Sequence, residues 1–223
     1  SSPMTIENIG LIPVISQQAL PLDEWGNQLI KRAFDVLFSL LFLILIASWL
    51  FPILMLLVKL TSKGPVFFKQ QRWGLNNSHI NVYKFRTMYF LAPTSRADGT
   101  FIQTEEEDNR VTPLGKFLRK TRFDEFPQFV NVILGDMSLV GPRPERQFYI
   151  DQIVQVEPQY THLTRVRPGI TSWGQVKFGY AENVEQMLQR MKFDLIYLKN
   201  RSLALDIKIM FYTVIIVFKA QGK

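Results

Sequence analysis

From Val36 to Val58 the chain carries no formal charge and is rich in Leu, Ile and Phe. As a straight helix this run would measure roughly 34 Å, enough to cross the hydrocarbon core of a bilayer. Apolar residues occupy every face, which argues against a buried helix of a soluble protein. Two details complicate a plain span. Pro52 lies deep in the run, where it removes a helix hydrogen bond; Ser48, four residues earlier, has a hydroxyl for the disturbed backbone. Both flanks are also basic, with Lys31 and Arg32 before the run and Lys59, Lys63, Lys69 and Arg72 after it. A spanning helix usually has its positive charge on one side. The residues therefore leave two readings open: a single span, or a helix that bends near Ser48–Pro52 and returns to the same face.

The rest of the pattern predicts short elements. Residues 1–30 read as a lead or linker, with one short helix near Leu22–Ile30. Val66–Arg72 and Ile80–Arg86, joined by a turn at Gly74–Ser78, read as a β-hairpin. Leu91–Asn109 is polar, with Glu105-Glu106-Glu107-Asp108, and reads as a solvated loop and a candidate lid. Leu114–Thr121 predicts a short basic helix. Asp124 is the expected N-cap of a second helix ending near Gly135. Gly141–Pro144 predicts an extended turn, Pro168–Val176 a turn plus strand, and Val184–Asn200 a helix. Leu203–Phe218 predicts an interfacial or core helix, because its uncharged part is too short to span a bilayer.

Composition narrows the chemistry. The 223 residues carry a net charge of +7, with a pI near 9.6, which suits a polyanionic partner. The absence of cysteine excludes disulfides, thiolate metal sites and cysteine nucleophiles. With only His79 and His162, a hard cation held by carboxylates is a better metal candidate than a multi-histidine site.

Taken alone, Asp124-Glu125 reads as a helix cap. Its surroundings add a second reading. Arg119, Lys120 and Arg122 lie just upstream, and Arg143 sits between Pro142 and Pro144 on a stiff turn suited to bidentate phosphate binding. A carboxylate among such cations stays ionised, as a nucleophile must, and two carboxylates can hold Mg2+. Nucleophile, metal and arginine clamps are the parts of phosphoryl transfer.

Several stretches resemble one family. They are Lys31–Asp35, Gly64–Phe68, Tyr83–Met88, Asp124–Gln128, Gly135–Pro144, Arg167–Val176 and Phe193–Tyr197, running from about Lys31 to the C-terminus. On these the chain resembles the bacterial sugar transferases, the monotopic phosphoglycosyl transferases. The resemblance implies an α+β fold. It comprises a re-entrant membrane helix broken at Pro52 (31–62) and a mainly helical cytoplasmic catalytic domain (63–223) with a small β-hairpin and interfacial amphipathic helices.

The resemblance also implies a reaction. Asp124 would attack the β-phosphate of a UDP-sugar, release UMP and carry the phosphosugar to undecaprenyl phosphate. Glu125 would position Mg2+ or the incoming phosphate, so Asp124 and Glu125 are both the catalytic and the metal candidates. Arg143, Lys84, Arg86 and Arg119 match cationic substrate-binding positions; for the last three the plainer reading is solubility or lipid-headgroup contact. Asp194 matches an acidic substrate-site position; its plainer reading is an exposed helix residue paired with a lysine. Asp136 reads as a metal neighbour or a turn cap. Phe123, Phe126 and Ser172 depart from the family's usual residues without touching, by type, a charged group.

The implied setting is the cytoplasmic face of a bacterial inner membrane, in polysaccharide or glycoconjugate assembly. The implied partners are a UDP-sugar (a hexose before a di-N-acetyl sugar), undecaprenyl phosphate and membrane lipids, with no nucleic acid; a homo-oligomer is compatible with the sequence. The lead resembles the join after the extra membrane domain of larger members. The competing readings are a membrane-anchored basic binding module and a nucleotide-sugar hydrolase.

Overall fold

A computed structural model describes the backbone of residues 4–9, 12–17, 25–93, 108–179, 181 and 183–218, with side chains from Trp25 to Val217. Most of the expected loop at Leu91–Asn109, residues 94–107, lies outside them, as do 18–24 of the lead. Strands β1 (Met4–Ile9) and β2 (Ile12–Gln17) pair antiparallel, Met4 opposite Gln17. The fold is mostly helical, with small two-stranded sheets and one long apolar helix near its start.

That helix begins at Trp25 rather than forming a separate short helix before Lys31. It continues as α1 (Trp25–Phe42), a widened π turn at Leu43–Ala47 and α2 (Ser48–Thr61). By length and composition it can cross a membrane. Its burial is inverted relative to a soluble helix. Lys31, Asp35 and Ser39, one turn apart along a single stripe, face inward. Leu37, Leu41, Ile44 and Leu45 face out. The expected break at Pro52 takes another form. Helix α2 runs through Pro52, and the irregular turn lies just upstream, where Ser48 donates its amide to Leu43 and its hydroxyl to Ile44 at 2.6 Å. The physical cause is the proline ring, which crowds the Ser48 carbonyl one turn back.

Both parts of this helix pack on the rest of the protein. Phe42 stacks on Phe129 with ring centres 3.9 Å apart and meets Phe126 edge-on. Leu54 and Val58 join Phe85 and Leu118 in a small core, with Phe51 and Phe123 at its edge.

The hairpin forms as expected from β3 (Phe67–Trp73) and β4 (His79–Phe85), Gln70 opposite Val82. Its turn holds Asn76 and Asn77 at positive φ, a conformation asparagine tolerates better than most residues. On β4, Ile80 and Val82 point inward and alternate with exposed His79 and Asn81. Helix α3 (Pro113–Thr121) starts on Thr112, whose hydroxyl accepts the Gly115 amide, with Pro113 in the first turn.

Beyond the dyad come α4 (Gln128–Leu134), β5 (Ser138–Val140), α5 (Gln147–Val156), a 3-10 segment at Pro158–Arg165, β6 (Gly169–Thr171), α6 (Trp173–Lys177), α7 (Val184–Lys199) and α8 (Leu203–Phe218). Strands β5 and β6 pair in parallel, Ser138 with Gly169 and Val140 with Thr171. The expected strand through Val176 is thus only three residues long. Ser172 then caps α6 by accepting the Gln175 amide. The main core gathers Val82, Val132, Met137, Leu139, Ile150, Met191, Tyr197 and Ile209 from β4 through α8. Helix α8 buries Asp206 and Ile209 and leaves Ile207, Phe211 and Val214 exposed, as an interfacial or core helix would.

Candidate active site

The expected cap at Asp124 is not there. Arg122 ends α3 in the left-handed conformation at φ 59°, and Phe123–Glu125 form a single 3-10 turn. Helix α4 starts after it, with Pro127 and no side-chain cap before Gln128. Asp124 and Glu125 are therefore held on a tight turn whose entry is a strained, non-glycine backbone. That leaves their carboxylates free for other partners.

The two carboxylates are treated differently. Glu125 accepts from Lys84 at 2.5 Å and lies 3.5 Å from Arg143. Both contacts use the same oxygen, Oε1. Among the described residues, Asp124 has no hydrogen bond or ion pair within contact distance. Burial opposes ionisation at Glu125, but Lys84, Arg143 and Arg122 together outweigh it and hold its carboxyl below the usual range. For Asp124, burial and the neighbouring Glu125 charge prevail over Lys84, Arg119 and Arg143, and its pKa is pushed up to about 6. Burial also lowers the Lys84 pKa.

Four of the expected residues meet here: Asp124, Glu125, Lys84 from the end of β4, and Arg143 from the turn after β5. Arg119 is close enough to act on Asp124, and its Nε donates to Thr87 at 2.9 Å. Two do not reach the dyad by direct contact. Arg86 is buried and donates to the carbonyls of Ser62 (2.7 Å) and Lys63 (3.0 Å), fastening the chain that leaves α2. Asp194 is buried, not exposed on its helix. It accepts from the Gly174 amide at 2.8 Å, the Ser172 hydroxyl and the Arg143 amide, while burial raises its pKa to about 6. Ser172, read as a packing change only, thus touches a charged group. Asp136 bonds to Asn131 in the turn after α4, the capping alternative.

Arg143 owes its position to contacts on both sides of its turn. The Pro142 carbonyl accepts from Gly169, and the Pro144 carbonyl accepts from Arg72 at 3.0 Å. Glu145 is buried between Arg72 and Arg190. This Arg72–Glu145–Arg190 group was not singled out from sequence; its only local signal is an acid directly after Pro-Arg-Pro. The turn also needs two glycines, because a methyl on Gly169 would overlap the Gly141 nitrogen and one on Gly141 the Arg167 carbonyl. Gly169→Ala is expected to destabilise the protein by about 1–3 kcal/mol through overpacking and to lower activity in the folded fraction. A thermal melt with a parallel activity assay measures both; an unshifted melt would show that the two strands can separate without penalty.

The donor set suits one kind of metal. No group of three or more His, Cys, Asp or Glu side chains forms a cage among the described residues. Two adjacent carboxylates, with the second Glu125 oxygen unbonded among the described residues, suit a Mg2+ that keeps its waters and shares phosphate oxygens. Lys84, Arg119, Arg122 and Arg143 outnumber the two acids, so the site as it stands favours an added anion over an added bare cation.

Comparison with known proteins identifies the family. The pattern of the family described as bacterial sugar transferase matches residues 26–220. The chain is 41% identical over 94% of its length to the UDP-glucose:undecaprenyl-phosphate glucose-1-phosphate transferase of Escherichia coli (strain K12), covering 44% of that protein. It is 43% identical over 86% of its length to the UDP-N-acetylgalactosamine-undecaprenyl-phosphate N-acetylgalactosaminephosphotransferase of Aeromonas hydrophila, again covering 44%. It is 40% identical over 83% of its length to the exopolysaccharide production protein PSS of Rhizobium leguminosarum bv. phaseoli, covering 94%. The chain thus spans under half the length of the first two relatives.

Proposed function

The chain belongs to the bacterial sugar transferase family, and on that premise we propose that it moves a sugar 1-phosphate from a UDP-sugar to undecaprenyl phosphate through a covalent intermediate on Asp124. The observation that carries this reading is the asymmetry of the dyad. Glu125 is clamped and kept ionised by Lys84 and Arg143, while Asp124 stands unbonded by any described residue among cations. A clamped carboxylate serves as a fixed charge; an unbonded one serves as a nucleophile.

In the first half-reaction an Asp124 oxygen forms a bond to the β-phosphorus, and the bond from that phosphorus to the bridging oxygen breaks. UMP leaves with the electron pair. In the second, an oxygen of undecaprenyl phosphate attacks the same phosphorus and the Asp124 carboxylate is released. Arg143, Arg119 and Lys84 face the phosphate oxygens and offset charge that would otherwise repel the nucleophile. When bound, Mg2+ would be held by Asp124, Glu125 and the diphosphate and would offset the charge of that diphosphate. The named relatives support a hexose or N-acetylhexosamine donor.

The membrane reading extends this. The apolar helix packs on α4 through Arg32 near its start and Phe42 at its middle, and on α3 and β4 through Leu54 and Val58 near its end. Contact of both ends with one body supports re-entry from the cytoplasmic face of the inner membrane. Such an arrangement would bring a water-soluble donor and a lipid acceptor to one surface.

UMP release from a panel of UDP-sugars, with and without undecaprenyl phosphate, tests the assignment. Lipid-dependent turnover is expected. Release that ignores the lipid would replace the transferase with a hydrolase, and no release from any sugar would end the proposal.

The pH dependence gives a second test. Protonated Asp124 cannot attack, so the first half-reaction should slow as pH falls through about 6, by about tenfold per unit well below it. Glu125 remains ionised over that range and adds no second step. Single-turnover UMP formation measures this; a rate indifferent to pH there would take the nucleophile's role from Asp124.

A further inference from the structure

A second basic site lies apart from the dyad. A cavity of about 110 Å³ is lined by Lys31, Arg32, Arg165, Arg167 and Arg201, with Asp35 the single carboxylate among its lining residues. None of Lys84, Arg119, Arg143 or the dyad lines it. Asp35 is already engaged by Lys31 at 2.7 Å and by the Ser138 hydroxyl at 2.7 Å. The four arginines have no carboxylate within ion-pair distance among the described residues.

Two of these arginines are fixed in place without being neutralised. Arg32 donates to the Val132 and Ile133 carbonyls at the end of α4, and Arg167 to the Gly135 carbonyl at 2.8 Å. They lie close enough to repel each other. The Arg201 Nε is buried and has no hydrogen-bond partner among the described residues, and Arg165 is exposed. Preset, mutually repelling guanidinium groups around a small hollow favour a compact tetrahedral oxyanion, which they can bind by paired hydrogen bonds.

The location indicates the source of that anion. Lys31, Arg32 and Asp35 belong to the first turns of α1, whose other face exposes Leu29 and Ile30, and Trp25 stands 77% exposed at its start. A tryptophan and basic residues just before a long apolar run mark the depth of lipid headgroups. We infer that this cavity binds the phosphate of an anionic phospholipid headgroup and so fixes the depth at which the base of the apolar helix sits.

Native mass spectrometry of the detergent-solubilised full chain, offered phosphatidylglycerol and phosphatidylcholine together, tests this. Wild type should retain phosphatidylglycerol selectively. Arg165→Gln/Arg201→Gln should weaken that retention by roughly 10- to 30-fold, at about 1 kcal/mol per charge near a headgroup. Lys192→Gln/Lys199→Gln removes equal charge elsewhere and should leave it unchanged. Equal loss in both double variants, or no loss in the first, overturns the site. Displacement of the lipid by inorganic phosphate would assign the cavity to free phosphate and overturn the lipid source. A cooperative melt checks that the first variant folds; should it not, Arg165→Gln alone, at an exposed residue, carries the comparison with about a fivefold expected loss.

Discussion

Asp124→Asn is expected to lower lipid-dependent UMP release by about a thousandfold or more, the usual scale for removing a covalent nucleophile. The substitution keeps size and shape but removes the attacking oxygen charge. It should not unfold the protein, because among the described residues no partner holds that carboxylate. The sign of its effect on stability is the more discriminating result. Asp124 has its pKa raised by the fold, first by burial and then by Glu125. Below its ordinary value of 3.8 the group is protonated whether folded or not and the penalty is absent; above about 6 it is ionised in both states and the penalty is complete. Asp124→Asn escapes that penalty. Its melting temperature relative to wild type should therefore rise between about pH 4 and pH 6 and stay level above. Loss of activity together with loss of stability would mean that Asp124 supports the fold, and the nucleophile would have to be sought elsewhere.

Lys31→Met should bring the largest loss of stability, about 3–5 kcal/mol, or on the order of 10 °C in a detergent melt. Lys31 is buried and bridges Asp35 at 2.7 Å and Asp206 at 2.8 Å. Asp206 also accepts from the Tyr197 hydroxyl at 2.7 Å, yet burial still raises its pKa. Methionine fills similar volume and leaves two buried acids with no cation between them. Adding Asp35→Asn and Asp206→Asn should recover much of the loss, since the penalty lies in unpaired charge rather than in lost packing. A single substitution that costs under about 1 kcal/mol would show the cluster to be open to water.

How much of this was legible depended on distance along the chain. The hairpin, α3, α7 and α8 followed from alternation, helical period and turn residues within a short window. The apolar helix followed from composition, though its start at Trp25 and the π turn at Leu43–Ala47 did not. The parallel pair β5–β6 was not foreseen as such, because three-residue strands pair through residues far apart in sequence. At the site, types and order pointed to Asp124, Glu125 and Arg143, and Lys84 came only from the family resemblance. Direction did not follow: Arg86 turns to the chain after α2, and Asp194 turns inward to hold the backbone of the Arg143 turn. One usable signal was overlooked. Asp35 and Asp206 are acids beside long apolar runs, where an unpaired charge is costly and a partner such as Lys31 should be sought.

The same cluster has a consequence for biosynthesis. Lys31 and Asp35 leave the ribosome well before Asp206, which follows only after nearly every other described element. Until then the i, i+4 pair of Lys31 with Asp35 must keep both charges tolerable at the head of a long apolar run. Arrival of α8 then joins the last helix to the first, a closure across almost the whole described chain that makes completion of the fold a late, long-range event. A nascent chain stalled before Leu203 would be unfinished, with an open hydrophobic core and one of the two acids that Lys31 bridges still missing.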